Sequence, residues 1–300
     1  MIRKLKCSLY KKLIKIGIIS PKTILLMDGG VCSQMHQYLI GQLFEERGFR
    51  VLYDLSFYEE WGTDLNFKFV RNFDLLKAFP YLKLKVASKV AINVYKRKFY
   101  HVGNNTEKRV EDFSFLQFTP PVYLGGYYHL PPDIWLGAFC RIFKMDTNVL
   151  DKHNQELCDE IKEKDCSVAV HVRRGDLKVE VYSYGKPAPL SYFEKAVSFF
   201  KEKECEPFFY FFSDEPEWVA KELVPNLQMN KNYKIVDING SDKGYMDLYL
   251  IAHCKHQITS KGTLGKYGAL LKDNSQKQVV LCNDATEYYW KELFLNPVFL

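Results

Sequence analysis

The chain has 300 residues, of which 47% are hydrophobic and 26% charged, with 42 Lys and Arg against 36 Asp and Glu. These proportions describe a globular protein with room for two domains of roughly 150 residues each, and they exclude a disordered or fibrous chain. No apolar run approaches the roughly 20 residues of a membrane-spanning helix, and no secretory signal follows the basic start, so a cytoplasmic protein is expected. The eight cysteines are scattered without a C-x-x-C pair, which reads as free thiols and neither a zinc site nor a redox pair.

The charge is uneven. Residues 1–150 carry 22 basic and 13 acidic side chains, and residues 151–300 carry 20 and 23. Residues 1–27 hold seven basic side chains and no acidic one, and Lys83–Arg109 holds eight against Glu107 alone. Such stretches suit an anionic membrane or ligand, and equally a solvated basic face. No nucleic-acid partner is expected.

In chain order, Ile2, Leu5, Leu9, Leu13 and Ile16 fall at helical spacing with lysines between them. This predicts a short basic amphipathic helix able to lie on an anionic lipid surface, ended by Gly17 to Pro21. Thr23–Met27 reads as a buried strand, Gly29 and Gly30 as a turn, the residues to Arg47 as a helix, and Arg50–Tyr53 as a second strand, together a βαβ unit. Residues 57–150 are rich in aromatics and carry Pro120–Pro121 and Pro131–Pro132. They read as loops and helices framing a cleft, without a definite topology.

From residue 166 strands and helices alternate. Strands are expected at Ser167–Val172, Phe208–Phe212, Lys234–Val236, His256–Thr259 and Gln278–Cys282. Helices are expected at Leu190–Lys203, Glu217–Leu223, Tyr245–Cys254 and Leu264–Lys272. The alternation implies an open parallel sheet covered on both faces, with a domain boundary near 150–165.

Ligands of open α/β sheets bind beyond the carboxyl ends of the strands, and three such ends are chemically loaded. The first is His171-Val172-Arg173-Arg174-Gly175-Asp176, whose guanidinium forks match phosphate oxygens. For R-R-G-D alone, an arginine pair salt-bridged to carboxylates across a domain interface is an equal reading, and the full hexapeptide at a strand end favours function. The second is Ser213-Asp214-Glu215, which by itself reads as helix capping. The third is Ser260-Lys261-Gly262-Thr263-Leu264-Gly265-Lys266-Tyr267-Gly268, whose glycines and threonine at a helix start present backbone N–H groups to an anion, and which also reads as a plain loop before a helix. Walker A, H-E-x-x-H, G-x-S-x-G and D-x-D patterns are all absent, and no metal ligand set is expected.

Together these residues resemble the α-1,2-fucosyltransferase family. HVRRGD (171–176) matches its H-x-R-R-G-D element, and DGGVCSQMHQYLIG (28–41) resembles its G-G-L-G-N-Q-M-F-Q-Y element. YLGGYYHLPPDIW (123–135), FFSDEPEW (211–218) and DLYLIAHCKHQITSKGTLGKYGALL (247–271) resemble further elements, in the family's order. The chain departs from the family pattern at Cys32 and Ser33, His36, Leu177, Lys266 and Tyr267.

The resemblance implies an α/β, GT-B architecture of two Rossmann-like domains facing each other across a cleft. Residues 1–158 would form the N-terminal acceptor-side domain, with 1–20 its basic amphipathic segment, and 159–300 the C-terminal GDP-fucose-binding domain. It implies an inverting galactoside α-1,2-fucosyltransferase that uses GDP-fucose, with no cofactor or metal, within bacterial O-antigen or capsule repeat-unit synthesis. The acceptor would be a galactose-containing glycan or a lipid-linked oligosaccharide. Location would be cytoplasmic, with peripheral contact at the inner face of the membrane one reading of residues 1–20. Arg173 would carry the β-phosphate of GDP, with Arg174 and Asp176 supporting the loop or touching the nucleotide. His171, Gly262, Thr263 and Gly265 would complete the donor site. Ser213 and Asp214 would lie near the guanosine or beneath the loop, and Gly29 and Gly30 would let the first loop approach from the other half. Candidate bases for the acceptor hydroxyl are Asp28, His36, Asp176 and Glu180, none singled out. Two other readings stand: a GT-B transferase of another deoxysugar or linkage, and a non-catalytic nucleotide-sugar or glycan-binding relative.

Overall fold

The computed structural model describes residues 2–60, 62–64, 69–102, 112–179, 186–203, 206–272, 275–295 and 297–300. Glu180, one of the candidate bases, lies outside the described residues. The strands in chain order are β1 (Thr23–Leu26), β2 (Val51–Asp54), β3 (Thr63–Asp64), β4 (Phe69–Val70), β5 (Tyr100–Val102), β6 (Val122–Gly125), β7 (Ser167–Val172), β8 (Phe208–Ser213), β9 (Tyr233–Val236), β10 (His256–Thr259), β11 (Val279–Leu281) and β12 (Val298–Phe299). Two compact units form: Met1–Gly62 with Arg71–Phe73 and Tyr81–Ile142, and Thr63–Val70 with Asp74–Pro80 and Phe143–Leu300. A division at 158/159 would cut helix Lys152–Glu163. That helix lies whole in the second unit, where Leu157, Cys158 and Ile161 join one core cluster.

The first unit holds a parallel sheet of order β2-β1-β6-β5. Helix Val31–Glu46 connects β1 to β2, as the glycine-punctuated pattern predicts. β5 and β6 arise in the stretch where periodicity showed no topology. With three and four residues they are too short for a period to register, and β6 is buried along its whole length. The core gathers Ile24, Leu52 and Tyr123 from the sheet with Ala91, Val94 and Tyr95 of helix Lys89–Lys98.

Helix Ile2–Lys15 forms as predicted, and a second face that the sequence reading did not mark packs inward. Cys7 and Ile14 are buried in the core, with Tyr10 packed beside them and edge-on to Tyr95. At 3.6 residues per turn these positions lie opposite Leu5, Leu9 and Ile16. Of the stripe read as able to lie on lipid, Leu5, Leu9 and Ile16 are exposed and Leu13 is half-buried.

The second unit is a six-stranded parallel sheet of order β12-β11-β10-β7-β8-β9. In β7, Val168, Val170 and Val172 point into one cluster and Ala169 into the other; in β8, Phe209 and Phe211 alternate likewise with Tyr210 and Phe212. A strand whose two faces both meet a core reads as a continuous apolar run, as these do. Helix Leu190–Lys201 covers one face through Tyr192, Phe193, Val197 and Phe200. Helices Lys152–Glu163 and Gly244–His253 cover the other. β12, absent from the sequence reading, adds a parallel edge beside β11. Seven described cysteines are free thiols, as expected.

Helix Leu264–Leu271 packs on Gly244–His253 through Gly268, where an added Cβ would sit 2.4 Å from Ile251 Cγ2 and 3.3 Å from the Leu248 carbonyl oxygen. Gly268→Ala is therefore expected to destabilise the fold by about 1–3 kcal/mol through overpacking, read from urea unfolding midpoints.

Candidate active site

Strand order in the second unit reverses at β7. From β7 the chain proceeds outward through β8 and β9, then returns to β10 on the opposite side and proceeds through β11 and β12. A crevice at the carboxyl ends is expected at such a switch point. The loops following β7 and β10 are the arginine loop and the glycine loop, so the topology brings together segments almost 90 residues apart in sequence.

The arginine loop has no ladder partners, and its amides are satisfied by side chains. Arg173 N–H donates to Ser260 Oγ (2.9 Å), Arg174 N–H to Asp214 Oδ1 (3.0 Å) and Gly175 N–H to Asp214 Oδ2 (2.9 Å). Ser260 N–H in turn donates to the His171 carbonyl (3.0 Å). Three consecutive amides are thus held by residues that follow β10 and β8. Asp214 does not cap the next helix, as the local pattern suggested. Ser213 Oγ donates to the Val172 carbonyl (2.8 Å) and accepts from Glu215 N–H (3.0 Å), pinning the end of β8 to that of β7.

The two arginines take different positions. Arg173 forks onto buried Asp176, Nε to Oδ1 at 2.9 Å and Nη2 to Oδ2. Its stem crosses Gly262, where a Cβ would stand 2.5 Å from Arg173 Cδ and where φ is +95°. Only glycine meets both demands. Arg174 lies over the Trp218 ring, 3.5 Å from its centroid, with Nε on Glu215 (3.2 Å), and Glu215 also pairs with Lys178. Arg174 thus fastens the loop to the segment after β8, while Arg173 lies between the two loops.

His171, at the end of β7, is buried, and among the described residues its Nδ1 has no hydrogen-bond partner. Burial, then the charges of Arg173 and Lys266, lower its pKa to about 3, so the ring is neutral. Gly265 lies against it: a Cβ there would come within 2.7 Å of the His171 Cβ. Thr263 stands at the N-cap of helix Leu264–Leu271 without a side-chain capping bond.

Lys261 and Lys266 lie within the third segment singled out from the sequence, but their roles and partners, and the Asn239 group, went unread. Lys266 is buried beneath the glycine loop, donating to the Gly262 (2.7 Å) and Ser260 (3.3 Å) carbonyls and paired with buried Glu287 at 2.5 Å. Lys261 pairs with Asp284 (2.8 Å) beside the loop. Asn239, in the loop after β9, donates to Asp247 Oδ1 (2.7 Å) and exchanges amide hydrogen bonds with Asn154. Burial raises the Asp247 pKa to about 7. The strand-end rule points to Ser260, but no local signal marks Glu287 or Asn154. Among the described residues, no group of three His, Cys, Asp or Glu side chains is placed to hold a metal ion.

Gly29, Gly30, Asp28 and His36 belong to the first unit. Gly29 has φ +69°, and its carbonyl accepts from Tyr58 Oη (2.9 Å) and Gln34 Nε2 (3.1 Å). Gly30 starts helix Val31–Glu46, with no atom within 4 Å of where a Cβ would be. Asp28 Oδ1 accepts from Gln37 Nε2 (2.5 Å). His36 is buried, its Nε2 at 2.5 Å from the Tyr128 carbonyl, its Nδ1 accepting from Trp135 Nε1 (3.0 Å), and its ring stacked on Tyr127. Both nitrogens are engaged and burial lowers its pKa to about 4. The structure therefore corrects the reading of His36 as a base: it ties its helix to the 127–135 segment.

A family model, glycosyl transferase family 11, matches residues 77–295. The O-antigen biosynthesis glycosyltransferase WbnK of Escherichia coli is 25% identical over 61% of this chain and 59% of its own length. An alpha-1,2-colitosyltransferase of E. coli is 28% identical over 40% of each chain. The mouse galactoside 2-alpha-L-fucosyltransferase Sec1 is 26% identical over 57% of this chain and 47% of its own. The chain thus spans between two-fifths and three-fifths of these relatives. The crystal structure of fucosyltransferase NodZ from Bradyrhizobium superposes with a TM-score of 0.50 at 12% identity, covering 84% of this chain and 94% of that one. This likeness is one of fold: α/β of the GT-B type, built from Rossmann-like parallel sheets.

Two expectations follow. Asp214→Ala leaves two loop amides without their acceptor and is expected to cost about 1–3 kcal/mol of stability. Asp214→Asn, which keeps one acceptor oxygen, is expected to lose less, with urea unfolding reading both. The second concerns pH. His36 and His171 are neutral when folded but take up a proton near pH 6.5 when unfolded. The unfolded state therefore binds more protons between about pH 6.5 and 4, and each imidazole removes about 1.4 kcal/mol of stability per pH unit of acidification. Asp247, with its raised pKa, acts in the opposite sense below pH 7. His36→Gln and His171→Gln are each expected to flatten the stability slope between pH 6 and 5 by about 1.4 kcal/mol per unit.

Proposed function

The chain belongs to glycosyl transferase family 11, and from that premise we propose that it transfers L-fucose from GDP-β-L-fucose to the 2-hydroxyl of a galactoside. The observation that carries this reading is the position of Arg173, lying across Gly262 between two loops at the sheet's switch point with its own amide fixed by Ser260. A nucleoside diphosphate fits the surroundings. The orphaned Nδ1 of His171 and the side-chain-free backbone at Gly262 and Gly265 favour a ligand that brings polar edges and anionic oxygens close to the main chain.

In this reading the acceptor hydroxyl oxygen attacks the sugar C1 from the face opposite the nucleotide and passes its proton to a base, for which Asp28, Asp176 and Glu180 remain the candidates. The C1–O bond breaks and its electron pair goes to the β-phosphate oxygen, so the anomeric configuration inverts. Arg173 neutralises that developing charge, the work a metal ion performs in other transferases, and turnover in EDTA is expected. Asp176 orients Arg173, and Arg174, clamped by Glu215 and Trp218, holds the loop. The acceptor would be a galactose-containing glycan or a lipid-linked oligosaccharide of an O-antigen or capsule repeat unit, glycosylated in the cytoplasm.

The similarity to a colitosyltransferase supports a second reading, transfer of another deoxysugar from its GDP-linked form. The arginine loop contacts phosphate and not sugar, so it serves either donor.

The test is to incubate the protein in EDTA with GDP-fucose or GDP-colitose, with and without lactose, and to identify products by NMR. A Fucα1,2Gal signal is the expected result. Colitosyl product alone moves the assignment to the second donor. GDP binding by calorimetry without GDP release from either donor overturns the enzymatic reading in favour of a binding protein. Arg173→Ala is expected to lower transfer by about 10²–10³-fold and, by leaving buried Asp176 without this partner, to cost about 1–3 kcal/mol of stability, with circular dichroism confirming that the variant assayed is folded; wild-type turnover would refute the phosphate role.

A further inference from the structure

Helix Ile2–Lys15 is apolar on two sides. Cys7, Tyr10 and Ile14 are spent on the core of the first unit. On the opposite side Leu5, Leu9 and Ile16 are 72%, 58% and 67% exposed, and Ile18, just past the helix, is 68% exposed. Three of the four recur at helical spacing, so they form a stripe and not a scatter. Single exposed apolar side chains are ordinary, but a contiguous row on a helix already anchored by its other face marks an interaction surface.

The charge around the stripe identifies the partner. Lys12 and Lys15 are exposed on the same helix, and residues 1–27 contain no acidic side chain. An apolar row with Lys12 and Lys15 on the same helix and no acidic neighbour in residues 1–27 is complementary to a surface with acyl chains below and phosphate above. Among the described residues no helix is long and apolar enough to cross a bilayer, so the contact is peripheral.

We infer that the outward face of residues 2–18 docks the protein on an anionic lipid bilayer, with Leu5, Leu9, Ile16 and Ile18 entering the interface and Lys12 and Lys15 meeting the headgroups. The core face of the helix fixes its orientation on the first unit before binding, so no folding is needed at the membrane. The inference does not rest on the donor assignment, since lipid binding requires no turnover.

The test uses the full chain and liposomes of phosphatidylcholine alone or with one-third phosphatidylglycerol, separated by flotation. Binding at least tenfold stronger to the anionic vesicles, weakened by 0.5 M salt, is expected. Leu5→Ser/Leu9→Ser/Ile16→Ser should reduce that binding at least tenfold with the circular dichroism spectrum and melting temperature retained. Lys12→Gln/Lys15→Gln should reduce it by a smaller factor and blunt its salt dependence. Equal binding by the serine variant overturns the inference. So does a wild type that ignores vesicles but runs as a dimer that the serine variant dissolves, an outcome that assigns the stripe to a second copy of the chain. Transfer to a soluble acceptor, where measured, should be the same for wild type and serine variant.

Discussion

The candidate site depends on how three consecutive backbone amides are satisfied. A loop leaving the middle of a parallel sheet has lost its ladder partners, and polar backbone beside a core must find others. Here Ser260 takes the amide of Arg173, and the two oxygens of Asp214 take those of Arg174 and Gly175. The loop is held on both flanks by residues from the strand ends beside it. This arrangement fixes where the Arg173 side chain departs, and the position of a guanidinium is what phosphate recognition requires.

With the backbone fixed, the charges sort themselves. Asp176 aligns one arginine, and Glu215 with Trp218 immobilises the other. Beneath the glycine loop the buried Lys266–Glu287 pair anchors two carbonyls. This chain builds its loop floor from an ion pair. A buried pair is costly to break because either partner alone would be an uncompensated charge. Lys266 is therefore coupled to Glu287, and the two work as one feature.

The first unit shows the same economy in its helices. His36 gives both ring nitrogens to the 127–135 segment, which removes it from proton transfer and makes it part of the frame. Helix Ile2–Lys15 gives Cys7, Tyr10 and Ile14 to the core and keeps a second apolar row for the outside. A helix anchored by one face presents the other rigidly, which separates it from a peptide that folds only on contact.

The sequence alone determined the alternating strands and helices of the second unit, the switch from loop to helix at each glycine cluster, and the segments that carry the chemistry. Those features follow from local rules: apolar runs too short for helices, glycines where φ is positive, and arginines at a strand end. It did not reveal β5, β6 and β12, which are too short to show a period and exist because neighbouring strands pair with them. Nor did it tell which of two adjacent arginines crosses the glycine loop, that Asp214 serves the loop before it and not the helix after it, or that His36 is fully bonded. It also left unread the inward face of the first helix, Cys7, Tyr10 and Ile14, since that side carries no stripe of its own in the sequence and only packing selects it. Each of these was decided by contacts between residues far apart in sequence, where the partner, and not the residue's own character, sets the outcome.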